Sequence, residues 1–294
     1  MDRDGPGNRP EGSNRDGRGT TGLSRIPTEL LGELAKHLIS DDPAATARNL
    51  TNFKATSRSV QHEFENGGAV GEFHTRLNRL GTSAQALYTA SMPAQDDLPD
   101  LVKSRYLTRT VGPILKFQNA TRKSAVADKI LALTPQGAEA RALSKIADNL
   151  GDFSQVDRTR LLDRSVELFT ATAAQGAHGQ WSVLISTARA LKKGHEHLND
   201  GQRERLDGSF AQDPYAGALY RAIQVRSTGR AVPQPNPDLD RNIDAIGNRA
   251  NGLPPERSYG QANEIAQIGT SINESYDSAR AELMHSERGR GLTR

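Results

Sequence analysis

Apolar side chains in this chain recur at the spacing of a helix face almost wherever they cluster. From Thr28 to Leu38 they are Leu30, Leu31, Leu34, Ala35 and Leu38, the i, i+1, i+4, i+5, i+8 stripe of one helical surface. Leu50, Phe53, Val60 and Phe64 continue the series into Val70, Phe73, Leu77, Leu80 and Leu87. No sustained period-two alternation and no clear hairpin turn interrupts it. Pro27 stands where a first-turn proline is tolerated, and Ser40-Asp41-Asp42-Pro43 stops one helix and starts another. The pattern predicts an all-α fold.

Two stretches break the periodicity. Residues 1–22 hold six glycines, four arginines and four acidic groups, with Met1 the only large apolar side chain. Such a segment cannot bury enough surface to offset its ordering entropy, which predicts a disordered tail over 1–23. Five of the fourteen prolines (Pro233, Pro235, Pro237, Pro254, Pro255) fall in the second break, which predicts an extended linker over 229–258. Hydrophobic residues make up 35% and aromatics 5% of the chain, which agrees with an unpacked fraction. Between the breaks, ARAL occurs at 140–143 and again at 188–191, and RTRLLDRS (158–165) aligns with QRERLDGS (202–209). A period near 45 is in the range of HEAT-like helical pairs, so residues 67–228 read as a helical bundle or a HEAT-like repeat region.

Zero cysteine excludes a disulfide framework, cysteine-ligated zinc and a cysteine nucleophile. The 38 Lys+Arg against 35 Asp+Glu leave a net charge of +3, far from the dense basic face of a dedicated DNA binder. No apolar run suits a membrane span or a secretory signal peptide. His195 and His197 stand two apart, which does not put both imidazoles on one helix face, and no third ligand is evident. His37, His62 and His74 read as surface or snorkelling groups, and Trp181 as the core of a repeat helix. No cofactor is expected.

The segment IPTELLGELAKHLISDDPAATARNLTNFKATSRSVQHEFE, residues 26–65, resembles an F-box. Ile26 and Pro27 take the Leu-Pro positions, Glu29, Leu30 and Leu31 the acidic-Leu-Leu step, and Leu34 and Leu38 continue the apolar face. Leu50, Phe53, Ser57, Arg58 and Val60 fit the second half, after a connection (Ser40–Arg48) longer than usual. An F-box is too short to bury its own apolar stripe. The resemblance therefore implies a boundary at 24–66 and docking onto Skp1 through Ile26, Pro27, Glu29, Leu30, Leu31, Leu34, Leu38, Leu50 and Phe53, as leucine anchors in a groove.

The C-terminal stretch NEIAQIGTSINESYDSARAELMHSERGRGLTR (263–294) resembles the tail of the VirF family of bacterial F-box effectors, and GEFHTRLNRLGTSAQALYTAS (71–91), after the F-box, resembles the same family. The matches cover residues 24–92 and 260–294. Residues 93–258 have no counterpart in that family. Its members carry an arginine-spaced type IV secretion signal at the C-terminus, here Arg280, Arg288, Arg290 and Arg294. Leu292 stands where the last arginine is expected, so Arg294 is displaced by two. The resemblance divides the chain's end into a helix and a basic signal over 259–294, captured by an acidic type IV coupling surface.

The resemblance implies an effector exported from a bacterium into the cytoplasm or nucleus of a plant cell. There it would join host Skp1 and cullin in an SCF ubiquitin ligase and direct a target to the proteasome. Expected targets are proteins coating the transferred DNA or host defence regulators. Catalysis would belong to the recruited subunits, in keeping with zero cysteine. Two readings from other classes stay open at this stage, an enzyme with its site in the helical middle and a non-catalytic scaffold or nucleic-acid binder.

Overall fold

A computed structural model describes residues 27–66, 68–92, 98–176, 180–224, 236–253 and 261–285. These residues are helical nearly throughout, with no strand among them. The tail 1–23 lies outside the described residues.

The N-terminal part is four helices, α1 (Thr28–Lys36), α2 (Pro43–Lys54), α3 (Arg58–Glu65) and α4 (Ala69–Ser91). Their limits follow from local chemistry. Pro27 precedes α1 in an extended conformation, the Asp42 side chain accepts the Ala45 N–H ahead of Pro43 at the start of α2, and Ser57 accepts the Val60 N–H at the start of α3. Gly71 lies on the first turn of α4, where a β-carbon would run into the Phe64 carbonyl oxygen; only glycine allows α3 and α4 to meet so closely.

The middle repeats one local plan. A short α5 (Asp100–Arg105) passes through a π-helical turn (Tyr106–Val111) and a 3-10 turn (Gly112–Phe117) into α6 (Ala120–Leu131). Helix α7 (Gln136–Ile146) passes through a 3-10 turn (Ala147–Asp152) into α8 (Gln155–Ala174). Helix α9 (Trp181–Lys193) does the same through His195–His197 into α10 (Asp200–Gln212), followed by α11 (Pro214–Ala222). In all three units an extended residue (Gln118, Phe153, Leu198) leads to a capping Asn119, Ser154 or Asn199, whose side chain accepts a backbone N–H of the next helix. The two ARAL copies lie on α7 and α9, which pack against each other. Their alanines (Ala140, Ala142, Ala188, Ala190) are at most 1% exposed, and side chains this small let two helix backbones approach closely. The α8 and α10 copies pair in the same way.

The proline-bearing stretch departs from the extended linker expected over 229–258. Between Pro237 and Pro254 the chain forms α12 (Leu239–Asn251). Prolines mark the ends of this stretch, but Leu239, Ile243, Ile246 and Ala250 recur at helical spacing within it and all are buried. Residues 225–235 and 254–260 lie outside the described residues.

Helix α13 (Gln261–His285) runs antiparallel to α12, and both lie along α4. Its buried Ile265, Ile268, Ile272, Tyr276, Ala279 and Leu283 join one hydrophobic core shared by the N-terminal helices and the repeated units. Ions tie the three helices together at the surface. Arg76 reaches Asp240 (2.7 Å) and Glu282 (2.8 Å), and Arg79 reaches Asp240 (3.0 Å) and Asp244.

Candidate partner-binding face

Helix α1 divides its leucines between two environments. Leu31 and Ala35 are at most 2% exposed and face α3 and α4, whereas Leu30 and Leu34, four residues apart, are 54% and 42% exposed. The stripe is wider than its own chain can cover, which leaves two leucines aligned along the outer surface of a helix one residue beyond Pro27. Leu38 is partly buried against the core, Leu50 is fully buried between α2 and its neighbours, and Phe53 is partly buried, edge-on to Phe64 at 6.4 Å. Of the residues that the resemblance assigns to Skp1 contact, Pro27, Leu30 and Leu34 are therefore outward-facing. Leu31 and Leu50 are structural core, a role the sequence stripe could not separate from contact. Ile26 and the Glu29 side chain lie outside the described residues.

The corner between α1 and α2 is fixed from a distance in sequence. The Tyr276 hydroxyl donates to the Ser40 carbonyl at 2.7 Å and lies 3.4 Å from the Thr46 hydroxyl, itself fully buried. The Ser40 N–H donates to Thr46 Oγ1 at 3.0 Å. Burial pushes the Tyr276 phenol up to about 12, so it stays a neutral donor throughout the working range of a protein. Its ring packs on Phe117 (5.8 Å between centroids) and Phe73 (6.2 Å), with the buried Lys116 ammonium 4.9 Å from its centre. Arg280, one turn further along α13, pairs with Asp41 in the same corner. Lys123 of α6 holds Asp42 at 3.7 Å.

Arg280, expected as the first arginine of a secretion signal, is thus engaged with the α1–α2 corner in the folded chain. Arg288, Arg290 and Arg294 lie outside the described residues. Trp181, expected in a repeat core, is 42% exposed on the first turn of α9 and packs edge-on against the exposed Tyr215 at 5.3 Å.

His74, expected at the surface, is half-buried where α2, α3 and α4 meet. It lies 5.5 Å from the Phe64 ring, with Thr51 Oγ1 3.4 Å and Asn78 Nδ2 3.5 Å from its Nε2. Burial, reinforced by the Lys54 charge, holds its pKa below the ordinary 6.5. The unfolded chain therefore takes up this proton first. The stabilising contribution is present above about 6.5 and is lost as pH falls through the depressed native value. The expected result is a lower urea midpoint near pH 5 than near pH 7.5, with the difference reduced in His74→Gln; an undiminished difference in that variant would remove His74 as its source.

His195 and His197 sit on the 3-10 turn after α9. His197 contacts Arg158 at 3.2 Å and Glu196 at 3.3 Å. Among the described residues no group of three or more His, Cys, Asp or Glu side chains is arranged to hold a metal, and no helix is long and apolar enough to cross a membrane. Comparison of the chain with protein-family models, with curated proteins and with solved structures found no match in any of the three.

Proposed function

We propose that this chain is a type IV secretion effector of the F-box type, which binds host Skp1 through the outer face of α1 and acts as the adaptor that brings a target to an SCF ubiquitin ligase in a plant cell. The observation that supports it is the pair Leu30 and Leu34, solvent-facing on a helix just after Pro27 and backed by the buried Leu31 and Ala35. Two leucines one turn apart on a braced helix suit the anchoring of a helix against an apolar groove. Burying both would remove enough apolar surface to contribute roughly 1.5–3 kcal/mol each at most, less what they already bury in the free chain. The contribution of such an adaptor is effective concentration, holding a target beside the ubiquitin carrier without catalysing transfer itself. The helical region 67–228 is the candidate surface for that target.

Co-purification with a plant Skp1 tests the reading, with wild type beside Leu30→Glu/Leu34→Glu. Both positions face solvent, so the double variant is expected to fold with an unchanged circular dichroism spectrum and to lose the complex. Retention of Skp1 by the double variant, or no complex with wild type, would overturn the reading.

A further inference from the structure

A second surface, independent of the leucine face, lies between α2, α4 and the start of α6. It is a groove of about 580 Å³ with Leu77 and Phe117 at its floor and Ala44 and Ala47 along one wall. The opposite wall includes Gly81, where an added β-carbon would meet nothing within 4 Å. Two guanidiniums line the groove, Arg48 from α2 and Arg122 from α6, and no carboxylate is among the described lining residues. Arg48 is exposed, and its side chain makes no ion pair or hydrogen bond among the described residues. Arg122 is held in place, stacked over the Tyr88 ring at 5.0 Å and bonded to Gln118 Oε1 at 3.1 Å. The acids nearest in sequence, Asp42 to Arg48 and Asp128 to Arg122, are already engaged by Lys123 and Arg160.

We infer that this groove binds an acidic, extended peptide segment of a partner protein, with its carboxylates on Arg48 and Arg122 and an apolar side chain against Leu77 and Phe117. Charge complementarity decides the occupant: a concave site with two cations, no acid and an apolar floor favours alternating acidic and apolar residues. Length agrees. The groove follows α4 from Leu77 to Gln85, about 12 Å at ~1.5 Å per helical residue. That is room for three or four extended residues at ~3.3 Å each. A nucleic acid suits it poorly, because such binding draws on many phosphate contacts along a basic face, whereas this chain carries 38 cations against 35 anions. The inference holds whether or not α1 binds Skp1.

The experiment is fluorescence anisotropy of the full chain with a labelled hexapeptide alternating Glu and Leu. Wild type is expected to bind saturably, and about tenfold more tightly than it binds the same peptide with Gln in place of Glu. Arg48→Glu is expected to weaken binding by about tenfold or more. Gly81→Leu fills the groove without changing charge and replaces a helical glycine with a better helix former, so it is expected to block binding while the melting temperature is kept or raised. Absence of saturable binding to wild type would overturn the inference. So would unchanged affinity in both variants, or equal displacement by a single-stranded oligonucleotide of the same charge.

Discussion

Tyr276→Ala is expected to lower the stability of the whole chain by about 3–5 kcal/mol, the range for removing a large buried aromatic side chain. The ring is fully buried and touches Phe73 and Phe117, so the variant leaves a cavity where α13 meets the N-terminal helices. It also removes the nearer donor to the Ser40 carbonyl, leaving the Thr46 hydroxyl at 3.4 Å. Tyr276→Phe separates the two effects, because it keeps the ring and removes only the hydroxyl, at about 1–2 kcal/mol. In that variant, loosening should concentrate at the α1–α2 corner, seen as faster amide exchange over residues 37–46 than elsewhere. Urea denaturation at constant slope measures both costs. A loss below about 1 kcal/mol for Tyr276→Ala would show that the corner and α13 are not coupled as the geometry indicates.

The second large effect lies in the repeated units. Glu139 on α7 is 2% exposed and receives two bonds from Arg164 on α8, at 2.7 and 3.0 Å. Glu139 and then Glu167 hold the Arg164 guanidinium above its ordinary pKa. Arg164→Ala leaves a buried carboxylate without its partner, which is expected to cost about 3 kcal/mol. Replacing both side chains, Glu139→Gln with Arg164→Ala, is expected to recover part of that loss, because the stranded charge is gone. Strict additivity of the two single changes in a double-mutant cycle would count against a direct pair.

Arg164 and Glu139 are 25 residues apart, and nothing in their sequence neighbourhood distinguishes them from solvated charges. The same holds for Tyr276 and Ser40, 236 residues apart. Polar pairing over such distances leaves no periodic trace, because a single contact has no spacing to repeat. Apolar faces do repeat, and this made α1 to α4 readable from Leu30 to Leu87. Within 229–258 periodicity prevails over composition. Prolines at either end concealed the Leu239, Ile243, Ile246 and Ala250 face of α12. Trp181, expected in a repeat core, opens α9 and is covered in part by Tyr215. The copies at 140–143 and 188–191 were visible as letters, but their packing against each other was not.

By itself, then, the sequence determined that this chain is helical, where α1 and α2 begin, and that no cysteine chemistry belongs to it. Those properties are set locally, by side-chain spacing, by caps within three residues, and by composition. Only the tertiary structure decided which leucines of α1 are core and which are free, because a five-residue stripe exposes two of its members only once α3 and α4 have covered the rest. It likewise decided that α13 closes the α1–α2 corner. Burial of Tyr276 and pairing of Arg280 with Asp41 depend on segments far apart in sequence meeting in space, and no local rule encodes that meeting.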